Sequence, residues 1–146
     1  MKRSILTFLI VAVIISSTEP LPSTVYAADE QAPSSKVIAY YFHGRFRCPT
    51  CYMMEQYAKE AIENNFKDAL ASGKLEFKVV NVEVRGNEHF INDYQLYTKA
   101  LVLSLLKDGK EVKSKNLTKI WEYVRNKQRY FNYVTEEVNS LLKEVP

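Results

Sequence analysis

The sequence is poor in proline, glycine and cysteine. Its 146 residues include five prolines, four glycines and two cysteines, while 47% of the residues are hydrophobic and 25% are charged. That balance excludes a disordered or fibrous chain and suits one compact domain. Pro49 is the only proline between Lys36 and Val145, so it marks a particular position in an otherwise proline-free region.

The sequence also lacks an excess of one charge. Its formal net charge is +3, and removal of residues 1–27 would take away Lys2, Arg3 and Glu19 and leave +2. Nucleic-acid-binding domains carry a much stronger basic footprint. We therefore expect no nucleic-acid partner.

The apolar run near the start is short for a membrane span. Ile5 to Ile15 would extend about 16 Å as a helix, against a hydrocarbon core of roughly 30 Å. Lys2 and Arg3 precede the run, and residues 25–27 (VYA) fit a signal-peptidase site. A retained anchor is the alternative, although no cysteine follows the run to make a lipoprotein. We predict a signal peptide over residues 1–27 and an extracytoplasmic protein, periplasmic or secreted.

Hydrophobic periodicity predicts the elements of one domain over residues 36–146, after a flexible lead over residues 28–35. Val37 to His43 is a continuous apolar run, as in a central strand. Helical spacing begins at Thr50 and continues to Gly73, and Leu75 to Val84 alternates as a second strand.

The second half of the domain predicts a short helix, a hairpin and a last helix. The short helix follows Gly86 and carries Phe90, Ile91, Tyr94 and Tyr97. Asp108-Gly109 is a hairpin signal between strands at residues 101–106 and 111–113, and the final helix has a break or cap at Asn126. All four glycines fall at element boundaries. The order is β-α-β-α-β-β-α, an α/β fold.

The two cysteines lie between the first strand and the first helix. Cys48 is placed near the helix N-cap, and Pro49 suits the first helical position. At this spacing the two Cα atoms fit a disulfide. We expect Cys48 to be exposed and Cys51 to be shielded. The helix N-terminus and the guanidinium groups of Arg45 and Arg47 should lower the pKa of Cys48 by one or two units from about 8.5.

Two other interpretations of this cysteine pair remain open. The pair could be half of a metal site, or an inert disulfide, although a disulfide that closes so short a loop adds little stability. His43 is either a proton acceptor for Cys51, a metal ligand or a hydrogen-bonded structural residue. A metal set of His43, Cys48, Cys51 and His89 would need the second helix to fold toward the dithiol.

Three side chains beside the cysteines are large and adaptable. Phe46, Tyr52 and Met53 either form an apolar lip for a partner protein or pack in the core.

The element order, with C-P-T-C after the first strand, resembles the thioredoxin superfamily over Lys36 to the C-terminus. The strings YYFHGRFRCPTC and NEHFINDYQLYTKALVLSLLKDGK resemble small exported bacterial thioredoxin-like proteins that are named as nitrophenyl-compound nitroreductase subunits. The resemblance implies a four-stranded mixed sheet flanked by helices. It also implies that Cys48 is the attacking thiol and Cys51 the resolving thiol, with Thr50 and Pro49 between them.

Two features of that superfamily are missing. The cis-proline that shapes its substrate groove aligns with Ala100 or Leu101, where we predict a trans peptide and an altered groove because a cis bond would cost about 3 to 4 kcal/mol. The carboxylate that thioredoxin-like reductases often carry on the first strand is absent from Val37 to His43.

The sequence thus predicts an exported thiol-disulfide oxidoreductase that uses Cys48 and Cys51 without a cofactor. The partners would be protein or small-molecule disulfides or dithiols, a membrane-associated redox protein being one candidate, and we expect a monomer. The alternative is a binding module: a Cu(I) or zinc carrier that uses the two thiols, or an accessory subunit of a larger redox complex.

Overall fold

A computed structural model of the chain describes residues 33–146. The predicted signal peptide and residues 28–32 of the predicted lead lie outside these residues. No helix within the described part has the length and apolar character to cross a membrane. The elements in chain order are β1 Ser35–His43, α1 Pro49–Asn65, α2 Lys67–Ala71, β2 Leu75–Asn81, α3 His89–Asp93, β3 Ala100–Lys107, β4 Lys110–Asn116, α4 Ile120–Tyr123 and α5 Lys127–Leu142.

The four strands form one mixed sheet in the order β2-β1-β3-β4. Strand β1 is parallel to β2 and antiparallel to β3, and β3 is antiparallel to β4. A parallel neighbour requires a crossover connection, and α1 with α2 supplies it. The predicted α/β architecture, a four-stranded mixed sheet flanked by helices, is confirmed.

Strand β1 lies in the centre of the sheet and is buried on both faces. Val37, Ala39 and Tyr41 belong to the main core, which α1 and α5 cover. Phe42 belongs to a smaller cluster on the other face, where side chains around α3 pack against it. A strand covered on both faces must be apolar at almost every position, which explains the unbroken run in the sequence.

Helices α1 and α5 lie against each other on the main face. Helix α1 buries the predicted stripe, and the Tyr130 hydroxyl of α5 donates a hydrogen bond of 2.8 Å to the carbonyl of Met54. A hydroxyl with no exposed surface needs such an acceptor. This contact fixes α5 directly behind the first turns of α1.

The predicted hairpin between β3 and β4 is confirmed. Asp108 and Gly109 have φ values of 50° and 76°. Positive φ at both central residues suits a two-residue turn whose twist matches that of the flanking strands, and glycine adopts it without strain.

Three predicted boundaries are wrong. The first helix does not continue to Gly73, because Phe66 leaves the helical conformation (φ −130°, ψ 36°) and α2 is separate. The second strand ends at Asn81 rather than Val84, since the Asn81 side chain accepts the Glu83 N–H at 2.9 Å and starts a turn. Strand β1 begins at Ser35, two residues before the predicted start of the strand at Val37.

The short helix is also shorter than predicted. Helix α3 ends at Asp93, and Gln95 has a φ of 51°, which is incompatible with a continuing helix. Tyr97 is therefore not on a packed helical face and is 94% exposed.

Candidate functional site

The cysteine pair lies where β1 turns into α1, as predicted. Cys48 is the N-cap of α1, with extended backbone angles (φ −87°, ψ 164°), and Pro49 is the first helical residue. The carbonyl of Cys48 accepts the Cys51 N–H at 2.9 Å, which closes the first turn. Proline at this position loses nothing, because the first N–H groups of a helix have no intrahelical acceptor.

The two sulfurs have different environments. Cys48 is exposed, whereas Cys51 is only 2% exposed, and both are free thiols. The Cys51 thiol donates a hydrogen bond to the Cys48 sulfur, which is the main cause that lowers the pKa of Cys48. Backbone N–H groups, first that of Cys51, lower this pKa further. Both causes stabilise a thiolate at the helix N-terminus.

Cys51 is shifted in the opposite direction. Burial raises its pKa, and donation of the thiol proton to Cys48 raises it further. The Lys99 side chain opposes this shift through its positive charge. The pair therefore has one sulfur that ionises readily and one that holds its proton.

The predicted contribution of the two arginines needs correction. The Nε of Arg45 lies 4.0 Å from a Glu83 carboxylate oxygen, and its side chain is exposed. Arg47 forms an ion pair with Glu55. Neither guanidinium is among the causes of the lowered Cys48 pKa.

A tyrosine supports the first turn of α1 from below. The Tyr41 hydroxyl donates a hydrogen bond of 2.6 Å to the carbonyl of Cys51, and Tyr41 is fully buried. Burial raises the pKa of Tyr41 strongly, so the hydroxyl keeps its proton. From the sequence alone, Tyr41 is only one residue of the predicted first strand. The available signal was that a tyrosine in a buried strand needs an acceptor for its hydroxyl.

His43 lies half-buried at the end of β1. Its Nδ1 is 2.8 Å from the Gly44 carbonyl oxygen. Because a carbonyl only accepts, Nδ1 carries the proton in the neutral ring, and Nε2 is left as an acceptor. His43, Glu83 and Lys99 line one cleft of about 170 Å³. A Cβ on Gly44 would meet the end of the Glu83 side chain, which is flexible and can move aside.

The predicted trans peptide at Ala100 or Leu101 is confirmed, and the altered substrate groove beside them stays a prediction. Both peptide bonds are trans, and no cis bond occurs among residues 33–146. Both side chains are buried in β3, where Ala100 pairs with Phe42 and Leu101 with Tyr41. The accessible residue on this side is Lys99, whose carbonyl accepts a hydrogen bond of 3.0 Å from Trp121 Nε1.

A surface groove of about 500 Å³ begins beside the dithiol. Its walls are formed by one side of α1 and by α4, through Thr50, Met53, Tyr57, Trp121, Val124 and Arg125. Phe46 is 89% exposed at the other side of Cys48, and Tyr52 and Met53 are exposed as well. The lip of exposed apolar residues expected around Cys48 is present.

The predicted four-residue metal set is not assembled. Within residues 33–146, no three His, Cys, Asp or Glu side chains are grouped closely enough to hold a metal ion. His89 instead contacts Asp93 on α3, with 2.6 Å between Nδ1 and a carboxylate oxygen.

Solved structures with a similar fold include several thioredoxins. For the X-ray structure of Fasciola hepatica thioredoxin, the sequence identity is 23% and the TM-score is 0.37, over 66% of this chain and 84% of that chain. For thioredoxin O2 from Arabidopsis thaliana in the oxidised state, the identity is 14% and the TM-score is 0.40, over 70% and 82%. For thioredoxin from Trypanosoma brucei brucei, the values are 14% and 0.36, over 67% and 75%.

No family model matches the sequence, and no curated protein sequence does either. The TM-scores of the solved structures are low. The fold class therefore rests on the strand order and strand directions of the sheet itself.

Proposed function

We propose that the protein is a thiol-disulfide oxidoreductase that uses Cys48 and Cys51. The observation that carries this proposal is the inequality of the two thiols: an exposed Cys48 with a lowered pKa, joined by a hydrogen bond to a buried Cys51 with a raised pKa. Disulfide exchange needs an accessible thiolate and a second thiol that attacks only later.

The proposed reaction has two exchange steps. The Cys48 thiolate attacks a partner disulfide, a Cys48–partner disulfide forms, and the first partner sulfur leaves as a thiolate that takes up a proton. Cys51 then gives its proton to solvent and attacks the Cys48 sulfur, which releases the second partner sulfur as a thiolate. Two electrons pass to the partner, and the chain acquires a Cys48–Cys51 disulfide. The same steps in reverse oxidise a dithiol partner.

The pKa of Cys48 supports an oxidising direction. A stabilised thiolate favours the reduced form of the pair, and this raises its reduction potential. The apolar lip supports a protein or peptide partner, because aromatic and methionine side chains contact varied apolar surfaces. We propose a monomer that acts on such partners, with a membrane-associated redox protein as one of them.

The test of the two roles is a trapping experiment with glutathione disulfide as the probe. Cys51→Ser should accumulate a glutathione adduct on Cys48, detected by intact mass and peptide mapping, because no second thiol resolves it. Cys48→Ser is the matched control and should form no adduct in the time that Cys51→Ser needs to form one. Turnover by the wild type with no adduct on Cys51→Ser would contradict the assigned roles.

We further propose that the protein is exported, like the small bacterial thioredoxin-like proteins that its C-P-T-C region resembles. Expression of the full chain in a bacterium should give an extracytoplasmic product that begins at Ala28. N-terminal sequencing of the purified product checks this. Replacement of Ala27 by arginine should block cleavage, because signal peptidase requires a small residue there. A wild-type product that retains residues 1–27 would contradict cleavage.

A further inference from the structure

The Arg47 side chain, which directly precedes Cys48, is held by two residues of α1. Its Nη2 forms an ion pair with Oε2 of Glu55, and its guanidinium carbon lies 4.1 Å from the centroid of the Tyr52 ring. The Arg47 side chain is only 14% exposed. A cation in this position has neither full hydration nor free rotation, so its charge has a fixed place beside the dithiol.

The ion pair lies beside the first turn of α1. The Tyr52 ring, which the Arg47 guanidinium contacts, belongs to the residue directly after Cys51, and the Tyr52 N–H donates a hydrogen bond of 3.2 Å to the Cys48 carbonyl. Removal of either charge of the pair must change the electrostatic potential at Cys48.

One donor of Arg47 is left unused. The Nε atom is buried and has no hydrogen-bond partner within the described residues. A buried polar group without a partner costs about 1 to 3 kcal/mol, and such groups call for an explanation. A structural role alone would be served at lower cost by an apolar side chain at this position.

We propose that Glu55 is a positioning residue that fixes the Arg47 guanidinium beside the first turn of α1, and that it thereby sets how readily Cys48 reacts. Other charged or titratable groups around the dithiol include Cys51 on α1, Arg45 in the loop before α1 and Lys99 before β3. The Nε of Arg45 lies 4.0 Å from a Glu83 carboxylate oxygen, and Lys99 acts on Cys51. Arg47 directly precedes Cys48 in the chain, so a single substitution in the ion pair leaves one unbalanced charge beside this turn.

Removal of the Glu55 charge and removal of the Arg47 charge should shift the Cys48 pKa in opposite directions. Glu55→Gln leaves the cation unneutralised, so the thiolate of Cys48 is stabilised and its pKa falls. Arg47→Met leaves the carboxylate alone, so the pKa of Cys48 rises. Each shift should be about half a unit, which is roughly a threefold change in the thiolate fraction below the pKa. In the double variant both charges are absent, and the pKa should return close to that of the wild type.

The experiment measures the alkylation rate of Cys48 by iodoacetamide against pH in the reduced protein, with the site identified by mass spectrometry. The reduction potential against glutathione is measured for the same variants. Glu60→Gln is the matched control, because Glu60 lies on the same helix and pairs with Lys127 away from the dithiol. It changes the net charge by the same amount and should leave both values unchanged.

Equal Cys48 pKa values in Glu55→Gln and Glu60→Gln would overturn the proposal, and so would a double variant whose Cys48 pKa stays shifted from the wild-type value. If Arg47→Met does not fold, the Cys48 pKa of Glu55→Gln compared with that of Glu60→Gln still tests the proposal. This inference concerns the reactivity of the site proposed above. The pKa measurement needs no disulfide substrate, so its failure is separate from a failure of the trapping experiment.

Discussion

Tyr41 lies buried next to the first turn of α1, and its hydroxyl cannot act as a base for Cys51. Its hydroxyl donates to the Cys51 carbonyl, and burial raises its pKa so far that it keeps its proton. Tyr41 therefore positions the first turn of α1 but does not accept the Cys51 proton. His43, Glu83 and Lys99 line a cleft at the end of β1 that precedes the dithiol.

Removal of this hydroxyl should weaken the fold. Tyr41→Phe leaves the buried Cys51 carbonyl without its side-chain donor, and we expect the free energy of unfolding to fall by about 1 to 3 kcal/mol. Urea denaturation of the reduced protein measures the change. Tyr40→Phe is the control, because it removes a hydroxyl from the adjacent position of β1, where the side chain packs against the smaller cluster on the other face of the sheet. Equal losses in both variants would contradict the role of the hydrogen bond.

Single-residue roles at the site were only partly predictable. The helix start and the two-residue spacing define the cysteines, so their unequal exposure follows from local geometry. The arginine side chains are different. Arg47 pairs with Glu55, which lies eight residues later in α1. Arg45 lies near Glu83, which follows β2. A long side chain chooses among several carboxylates, and only the folded arrangement shows which one is near.

Helix α5 depends on a cap that the sequence indicates clearly. Asn126 has an extended conformation, and its side-chain oxygen accepts the Arg129 N–H at 3.0 Å. This cap separates α4 from α5 and allows the chain to turn so that Tyr130 reaches α1. The predicted break at Asn126 is confirmed because capping is local chemistry.

Loss of this cap should destabilise the protein measurably. Asn126→Ala should lower the free energy of unfolding by about 1 kcal/mol, within a range of roughly 0.5 to 2 kcal/mol. Asn139→Ala makes the same change on an exposed position inside α5, where alanine is the better helix former, and should be neutral or slightly stabilising. Urea denaturation compares the two. A loss as large in Asn139→Ala would show that the cap is not the cause.

The element boundaries that failed depend on contacts between elements. Phe66 leaves the helix yet remains in the main core, so burial of its ring outweighs continuation of α1. Asn81 ends β2 with a side-chain hydrogen bond although Val82 and Val84 continue the apolar alternation. Hydrophobic period thus located β1, β2, β3 and the long helices, and the Asp108-Gly109 turn located β4. Neither signal could say where tertiary packing or a polar side chain would interrupt an element.

Ionisation of the two thiols is linked to the stability of the whole domain. In the reduced protein, the lowered Cys48 pKa stabilises the fold above the unfolded pKa of about 8.5, and this contribution is lost as the pH falls through the lowered value. Cys51 has a raised pKa and acts against the fold once the unfolded thiol ionises. The oxidised protein has neither thiol to titrate.

The stability difference between the two redox forms should therefore depend on pH. We expect the reduced form to gain stability over the oxidised form as the pH rises through the lowered Cys48 pKa, up to the unfolded thiol pKa of about 8.5. Paired urea denaturations at several pH values measure the difference. In Cys48→Ser the reduced protein should lose this pH dependence. A constant difference in the wild type would contradict an ionisable Cys48 that is coupled to folding.

The central strand separates the start of the domain from the dithiol. Strand β1 enters the sheet at Ser35 and delivers the chain to Cys48 at its far end, so nine extended residues separate entry from chemistry by about 30 Å. Anything fastened to the chain just ahead of Ser35, whether a tag, a bead or a surface, is therefore attached on the side remote from the reactive sulfur. A protein immobilised in that way would keep Cys48 on the side that faces the solution.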